Sequence, residues 1–161
     1  MLELPSKTAG LVEMEKLMPI DILLVEDNPA DIELTRIAFK DARAANVLHV
    51  VEDGQEALDF VFKRPPYEKS KTPDIILLDI NLPQLNGIQV LESLKSDARY
   101  RMIPIIMLTS SSAERDVLSS YSHHANSYIT KPVNFDKFIE VARQIEQFWF
   151  TVVKLPSNSV D

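Results

Sequence analysis

The sequence predicts an α/β fold: a doubly wound, five-stranded parallel sheet with helices on both faces. Three observations predict it. Short apolar runs recur along the chain, and two of them, at 75–78 and 105–108, show no polar alternation, as expected of strands covered on both faces. Between the runs lie segments whose apolar residues fall at helical spacing. The connections are short, so about five strand–helix pairs must wind compactly.

Taken in order, Ile20-Asp21-Ile22-Leu23-Leu24-Val25 is a first strand, stopped by Glu26-Asp27-Asn28-Pro29. Asn28 can cap a helix whose first position is Pro29, where the missing N–H does no harm. Leu34, Ile37 and Ala38 give that helix an expected inner face. A second strand covers 47–51. Asp53-Gly54-Gln55-Glu56 then opens a helix in the manner of a capping box, with Ala57, Leu58, Val61 and Phe62 facing inward until Pro65-Pro66. The third strand, 75–78, ends in Asp79. The loop Asn81-Leu82-Pro83-Gln84-Leu85-Asn86-Gly87 leads to a helix carrying Ile88, Val90, Leu91 and Leu94. The fourth strand, 105–108, ends in Thr109, and a more polar helix is expected over 113–122. A short fifth strand at 127–129 runs into Lys131-Pro132, and the last helix starts near Asn134. Met102 and Met107 read as core filler, and the adjacent His123-His124 as a solvated helix end rather than a metal pair.

Composition narrows the function. The 161 residues carry 17 Lys+Arg against 24 Asp+Glu, a formal net charge of -7, and such an acidic balance argues against broad nucleic-acid binding. With no Cys there is neither a disulfide framework nor a thiolate metal site. Three glycines, Gly10, Gly54 and Gly87, cannot build a glycine-rich phosphate loop. Residues 1–19 lack a signal-peptide pattern and are expected to form a partly ordered extension, with 20–150 as the domain and 151–161 as a tail. No stretch approaches the roughly 18–20 apolar residues that span a bilayer, so a cytoplasmic protein without membrane partners is expected.

The residues that close each strand carry the chemistry. The first strand gives Glu26 and Asp27, the third Asp79, the fourth Thr109, and the fifth leads to Lys131. In an open parallel sheet these ends are neighbours, and ligands bind beyond them where the strand order reverses. Crowded carboxylates repel unless a cation sits between them, and oxygen ligands of this kind suit Mg²⁺. Lys131 and Thr109 add a positive charge and a hydroxyl, a set that fits a dianionic phosphoryl group. A carboxylate can itself act as nucleophile and form an acyl phosphate. Asp79, at the end of the central strand, is the candidate.

Over about 20–148 the chain resembles a receiver domain of a two-component response regulator. The resemblance rests on Glu26-Asp27, on Asp79 with Pro83 and Gly87 in register, on Thr109, and on Lys131-Pro132. It implies the flavodoxin-like, CheY-like (βα)5 arrangement. It further implies that Asp79 accepts a phosphoryl group from a histidine kinase. Glu26, Asp27, Asp79 and the backbone carbonyl of Asn81 would hold Mg²⁺, with Glu26 acting through water, while Lys131 and Thr109 would bind the phosphoryl oxygens. Lys131-Pro132 is expected to be cis. Tyr128 falls at the family's switch aromatic, whose rotamer follows Thr109, and Asn81 and Ser111 lie where the family tunes dephosphorylation. Glu26 stands where Asp is commoner. A narrower resemblance, carried by 63–73, by Leu82-Pro83-Gln84-Leu85-Asn86-Gly87 and by Phe148-Trp149-Phe150, is to the small response regulators that partner cyanobacterial phytochromes. It implies a phytochrome-like kinase as partner.

About a dozen residues follow the domain, too few for an output domain, so the signal is expected to leave through the receiver surface. Phe135, Phe138, Ile139, Ala142, Ile145 and Trp149 share one face of the last helix and are assigned to the core. Val141, Phe148 and Val152 fall on a second face, expected to be a self-association surface, and the narrower resemblance implies a homodimer there. A haloacid-dehalogenase-type phosphatase also uses an aspartyl phosphate but wants an acid two residues beyond the nucleophile, where this chain has Asn81. A flavodoxin-like cofactor module would meet Glu26-Asp27 where its phosphate should sit.

Overall fold

The strand order is β2-β1-β3-β4-β5, all neighbours parallel, in the computed structural model, which describes residues 19–42, 44–110 and 127–145. The described elements are β1 (Ile20–Val25), α1 (Pro29–Lys40), β2 (Asn46–Val51), α2 (Gly54–Phe62), β3 (Ile75–Asp79), α3 (Gly87–Lys95), β4 (Ile105–Thr109), β5 (Ser127–Thr130) and α4 (Phe135–Arg143). The order reverses between β1 and β3, so a crevice opens beyond their C-terminal ends.

Alternation along each strand splits the core into two layers. Ile22, Leu24, Leu77, Ile106, Leu108 and Ile129 face one way, where Phe39 of α1 and Phe138, Val141 and Ala142 of α4 cover them. Leu23, Val25, Ile76, Leu78, Ile105 and Met107 face the other way, under Ala57 and Val61 of α2 and Val90, Leu91 and Leu94 of α3. Phe39 locks the first layer, with its ring centroid 5.1 Å from Phe135 in an edge-on contact and 5.2 Å from Phe138. β3 and β4 are buried along their whole length, as their unbroken apolar sequence requires.

Each described helix begins on a side-chain cap. Asn28 Oδ1 accepts from Asp31 N at 3.0 Å, Asp53 Oδ1 from Glu56 N at 2.8 Å, and Asn134 Oδ1 from Lys137 N at 2.7 Å. The reciprocal capping box belongs to α3 instead of α2: Asn86 Oδ1 accepts from Gln89 N at 2.9 Å, while Gln89 Oε1 accepts from Asn86 N at 3.0 Å. Both described glycines sit at close approaches. A Cβ on Gly54 would strike the Leu85 carbonyl, and one on Gly87 would strike the Asp79 carbonyl.

Several expectations need correction. Leu34 and Ile37 are 50% and 57% exposed; α1 instead buries Thr35 and Phe39. Thr35 can go inside because its hydroxyl donates to Asp31 O at 2.8 Å, leaving no unpaired donor. Met102 is 58% exposed and is not core filler. Val141, assigned to a dimer surface, is 8% exposed and packs in the first layer of its own chain. Phe148, Val152, Trp149, Ser111, the helix expected over 113–122, His123-His124, the extension at 1–18 and the tail all lie outside the described residues.

Candidate functional site

The crevice is lined by what the strands leave at their ends. β1 stops at Val25, so Glu26 follows directly into the gap between β1 and β3. It is 1% exposed, and its Oε2 accepts from Asn28 N at 3.1 Å, which fixes the turn into α1. Asp27, beside it, is exposed. Asp79 closes β3 at 2% exposure, and its Oδ1 accepts from Asn81 N at 3.2 Å, so the backbone of Asn81 turns around the carboxylate. Gly87 N donates to Ile80 O at 3.0 Å, seating the start of α3 against this turn.

Lys131 arrives from β5. Its backbone N–H donates to Thr109 O at 2.8 Å, and the Lys131-Pro132 bond is cis, as expected. Its ammonium reaches Glu26 Oε1 at 2.8 Å, Asp31 Oδ2 at 3.0 Å and Asp79 Oδ2 at 3.3 Å. One cation therefore gathers three carboxylates, from the residue after β1, from α1 and from the end of β3. The sequence reading missed Asp31. An acid in the first helical turn is an ordinary helix-dipole feature, and only the fold brings it across from Lys131.

Electrostatics follow from this crowding. Burial, and then the neighbouring Glu26 carboxylate, push the Asp79 carboxyl up to about 7, against the pull of Lys131 and the Asn81 N–H. Burial alone works against the Lys131 charge, yet its bonds to Glu26 and Asp31 and the fields of Asp79 and Glu26 outweigh it and hold the ammonium above the ordinary lysine range. Without a further positive charge the buried Asp79 carboxyl therefore favours its neutral form, and a bound cation would favour the anion. Oxygens of Glu26, Asp27 and Asp79 come within 4.8 Å of one another, an all-oxygen donor set that fits a hard divalent cation such as Mg²⁺.

Thr109 is 0% exposed, and its Oγ1 has no hydrogen-bond partner among the described residues. A buried hydroxyl without a partner costs stability and calls for an explanation. Thr109 pairs with Thr130 in register, and Met107 with Tyr128. By strand alternation Thr109 and Tyr128 therefore share a face, and Tyr128 is partly buried against the second core layer.

This fold and crevice are those of a signalling receiver. Residues 22–143 match the response regulator receiver domain family, and the chain belongs to that family. Within it, the chain is related to phytochrome response regulators. It is 39% identical over 139 residues to the response regulator Rcp1 of Synechocystis sp., covering 86% of this chain and 95% of that one. The Mn²⁺-bound form of Rcp1 superposes with a TM-score of 0.67, over 86% of this chain and 100% of that one. The bacteriophytochrome response regulator AtBRR gives a TM-score of 0.76 at 40% identity, over 82% and 96% of the two chains. The phosphorylated cyanobacterial phytochrome response regulator RcpA gives 0.68 at 38% identity, over 87% and 100%. Among the described residues no helix is long and apolar enough to cross a membrane.

Proposed function

We propose that this chain is the phosphoryl-accepting partner of a histidine kinase and that Asp79 is the acceptor. The observation that carries the reading is a buried Asp79 with the Lys131 ammonium 3.3 Å away, while the next strand ends in a buried Thr109 whose hydroxyl has no partner among the described residues. An Asp79 oxygen attacks the phosphorus of a phosphohistidine. The P–O bond forms as the P–N bond breaks, and the imidazole nitrogen leaves with the electron pair and takes up a proton. Glu26, Asp27, Asp79 and the Asn81 carbonyl are the residues that would hold Mg²⁺. When bound, the metal neutralises charge on the transferred phosphoryl oxygens. Lys131 pairs with one phosphoryl oxygen and Thr109 donates to another. Burial excludes water from Asp79 until a donor enters.

Movement of Thr109 toward the phosphoryl group opens space on the face it shares with Tyr128. That motion is the proposed signal, and it leaves through the receiver surface. A phytochrome-type light sensor is the proposed kinase, because the relatives are named as phytochrome and bacteriophytochrome response regulators. The phosphatase alternative is disfavoured by Asn81, whose amide cannot shuttle a proton two residues beyond Asp79. The test is incubation with acetyl phosphate and Mg²⁺, followed by intact-mass measurement. The expected product carries one phosphoryl group that hydroxylamine removes, as it does an acyl phosphate. Steady turnover of a generic phosphate ester supports the phosphatase instead.

A further inference from the structure

Lys131 has more partners than a phosphoryl contact requires. Of the three carboxylates around its ammonium, Glu26 and Asp79 also belong to the converging oxygen set that fits a divalent cation, and Asp31 does not. The ammonium and a bound cation thus compete for the same two carboxylates, and side by side they repel. Asp31 lies outside that set at 3.0 Å, closer to Lys131 than Asp79 is at 3.3 Å. Its backbone is fixed at both ends: its N–H donates to Asn28 Oδ1 at 3.0 Å and its carbonyl accepts the Thr35 hydroxyl at 2.8 Å. The side chains of Lys131 and Asp31 are 13% and 29% exposed, so water screens their pairing only in part.

We propose that Asp31 is a positioning residue that draws the Lys131 ammonium to one side of the crevice, so that a divalent cation can occupy Glu26, Asp27 and Asp79 while Lys131 stays in place. The proposal rests on the reading of the crevice as a Mg²⁺-dependent receiver site. Without the Asp31 carboxylate, the ammonium has, among the described residues, only Glu26 and Asp79 to pair with, and it opposes the cation fully. With it, the two positive charges have separate partners, and Lys131 remains poised beside the oxygen that receives the phosphoryl group.

The experiment measures Mn²⁺ binding to the full chain by the electron paramagnetic resonance of free ion, with Mg²⁺ as competitor. Asp31→Asn is expected to weaken Mg²⁺ binding about 3- to 10-fold, at or below the lower edge of the roughly 10- to 100-fold that partners bonded directly to metal ligands contribute, because Asp31 acts through Lys131. Asp31→Glu, which keeps the carboxylate, should restore most of the loss. In a Lys131→Met background the same Asp31→Asn change should cost less than about twofold, because only the screened field of a part-exposed charge is left. An equal loss with and without Lys131, or no loss at all, overturns the proposal while leaving the site reading intact. A wild-type chain that binds neither ion overturns both.

Discussion

Glu26 and Lys131 are 105 residues apart in sequence, yet Glu26 Oε1 lies 2.8 Å from the Lys131 ammonium. That contact closes the crevice from the first strand to the last. It sets a positive charge 3.3 Å from Asp79.

In metal-free protein, Asp79→Asn should be more stable than wild type at neutral pH. The Asp79 carboxyl, about 7 in the fold against 3.8 ordinarily, is protonated in the folded state over that interval while the unfolded chain is not. The wild-type chain therefore loses stability as pH rises from about 4 to about 7, with the loss complete above it. The expected advantage of the variant is about 1–3 kcal/mol above pH ~7, small near pH ~4 and diminished by Mg²⁺. Urea unfolding with and without chelator, across that range, measures it. An advantage that is largest in acid would contradict the assignment.

Thr109→Val should leave the unphosphorylated fold as stable as wild type or raise it by up to about 1 kcal/mol, because the buried hydroxyl has no partner among the described residues to lose. The same change should slow phosphoryl uptake and uncouple it from any motion of Tyr128. Thermal melts set beside acetyl-phosphate labelling rates separate the two effects. A loss of several kcal/mol would mean that the hydroxyl is already bonded.

Gly87→Ala should disturb Asp79 from a distance. The added Cβ would collide with the Asp79 carbonyl and come 2.8 Å from Ile80 Cα, both backbone, so neither can swing aside. A cost of about 1–3 kcal/mol is expected, as for overpacking elsewhere. Labelling of Asp79 should fall with it. Full stability and full labelling would show that the loop after β3 yields easily.

The inner face of α1 gives a fourth check. Phe39→Ala, in the first core layer, should cost about 3–5 kcal/mol. Leu34→Ala and Ile37→Ala should each cost less than about 0.5 kcal/mol because they face solvent. Denaturant titrations of the three variants decide which stripe faces the sheet.

Those α1 residues also show what a sequence conveys. The strands were readable because each is short, apolar and stopped by polar residues, and those stopping residues, Glu26, Asp27, Asp79, Thr109 and Lys131, are the candidates for the proposed site. The face of α1 was not. Leu34-Ile37-Ala38 and Thr35-Phe39 are adjacent stripes on one helix, and burial of Thr35 depends on a hydroxyl bond to Asp31 that periodicity does not encode. Val141 was misplaced for a related reason: a helix end with apolar residues on two sides does not reveal which side the sheet takes. Asp31 was invisible because its partner is 100 residues away.

The central claim is that Asp79 accepts the phosphoryl group, and one measurement addresses it most directly. Protein labelled with acetyl phosphate and Mg²⁺ is reduced with borohydride, which converts an aspartyl phosphate to homoserine, and then digested and sequenced by mass. The account predicts homoserine at position 79 and no label in Asp79→Asn. Homoserine elsewhere, or full labelling of Asp79→Asn, would contradict it.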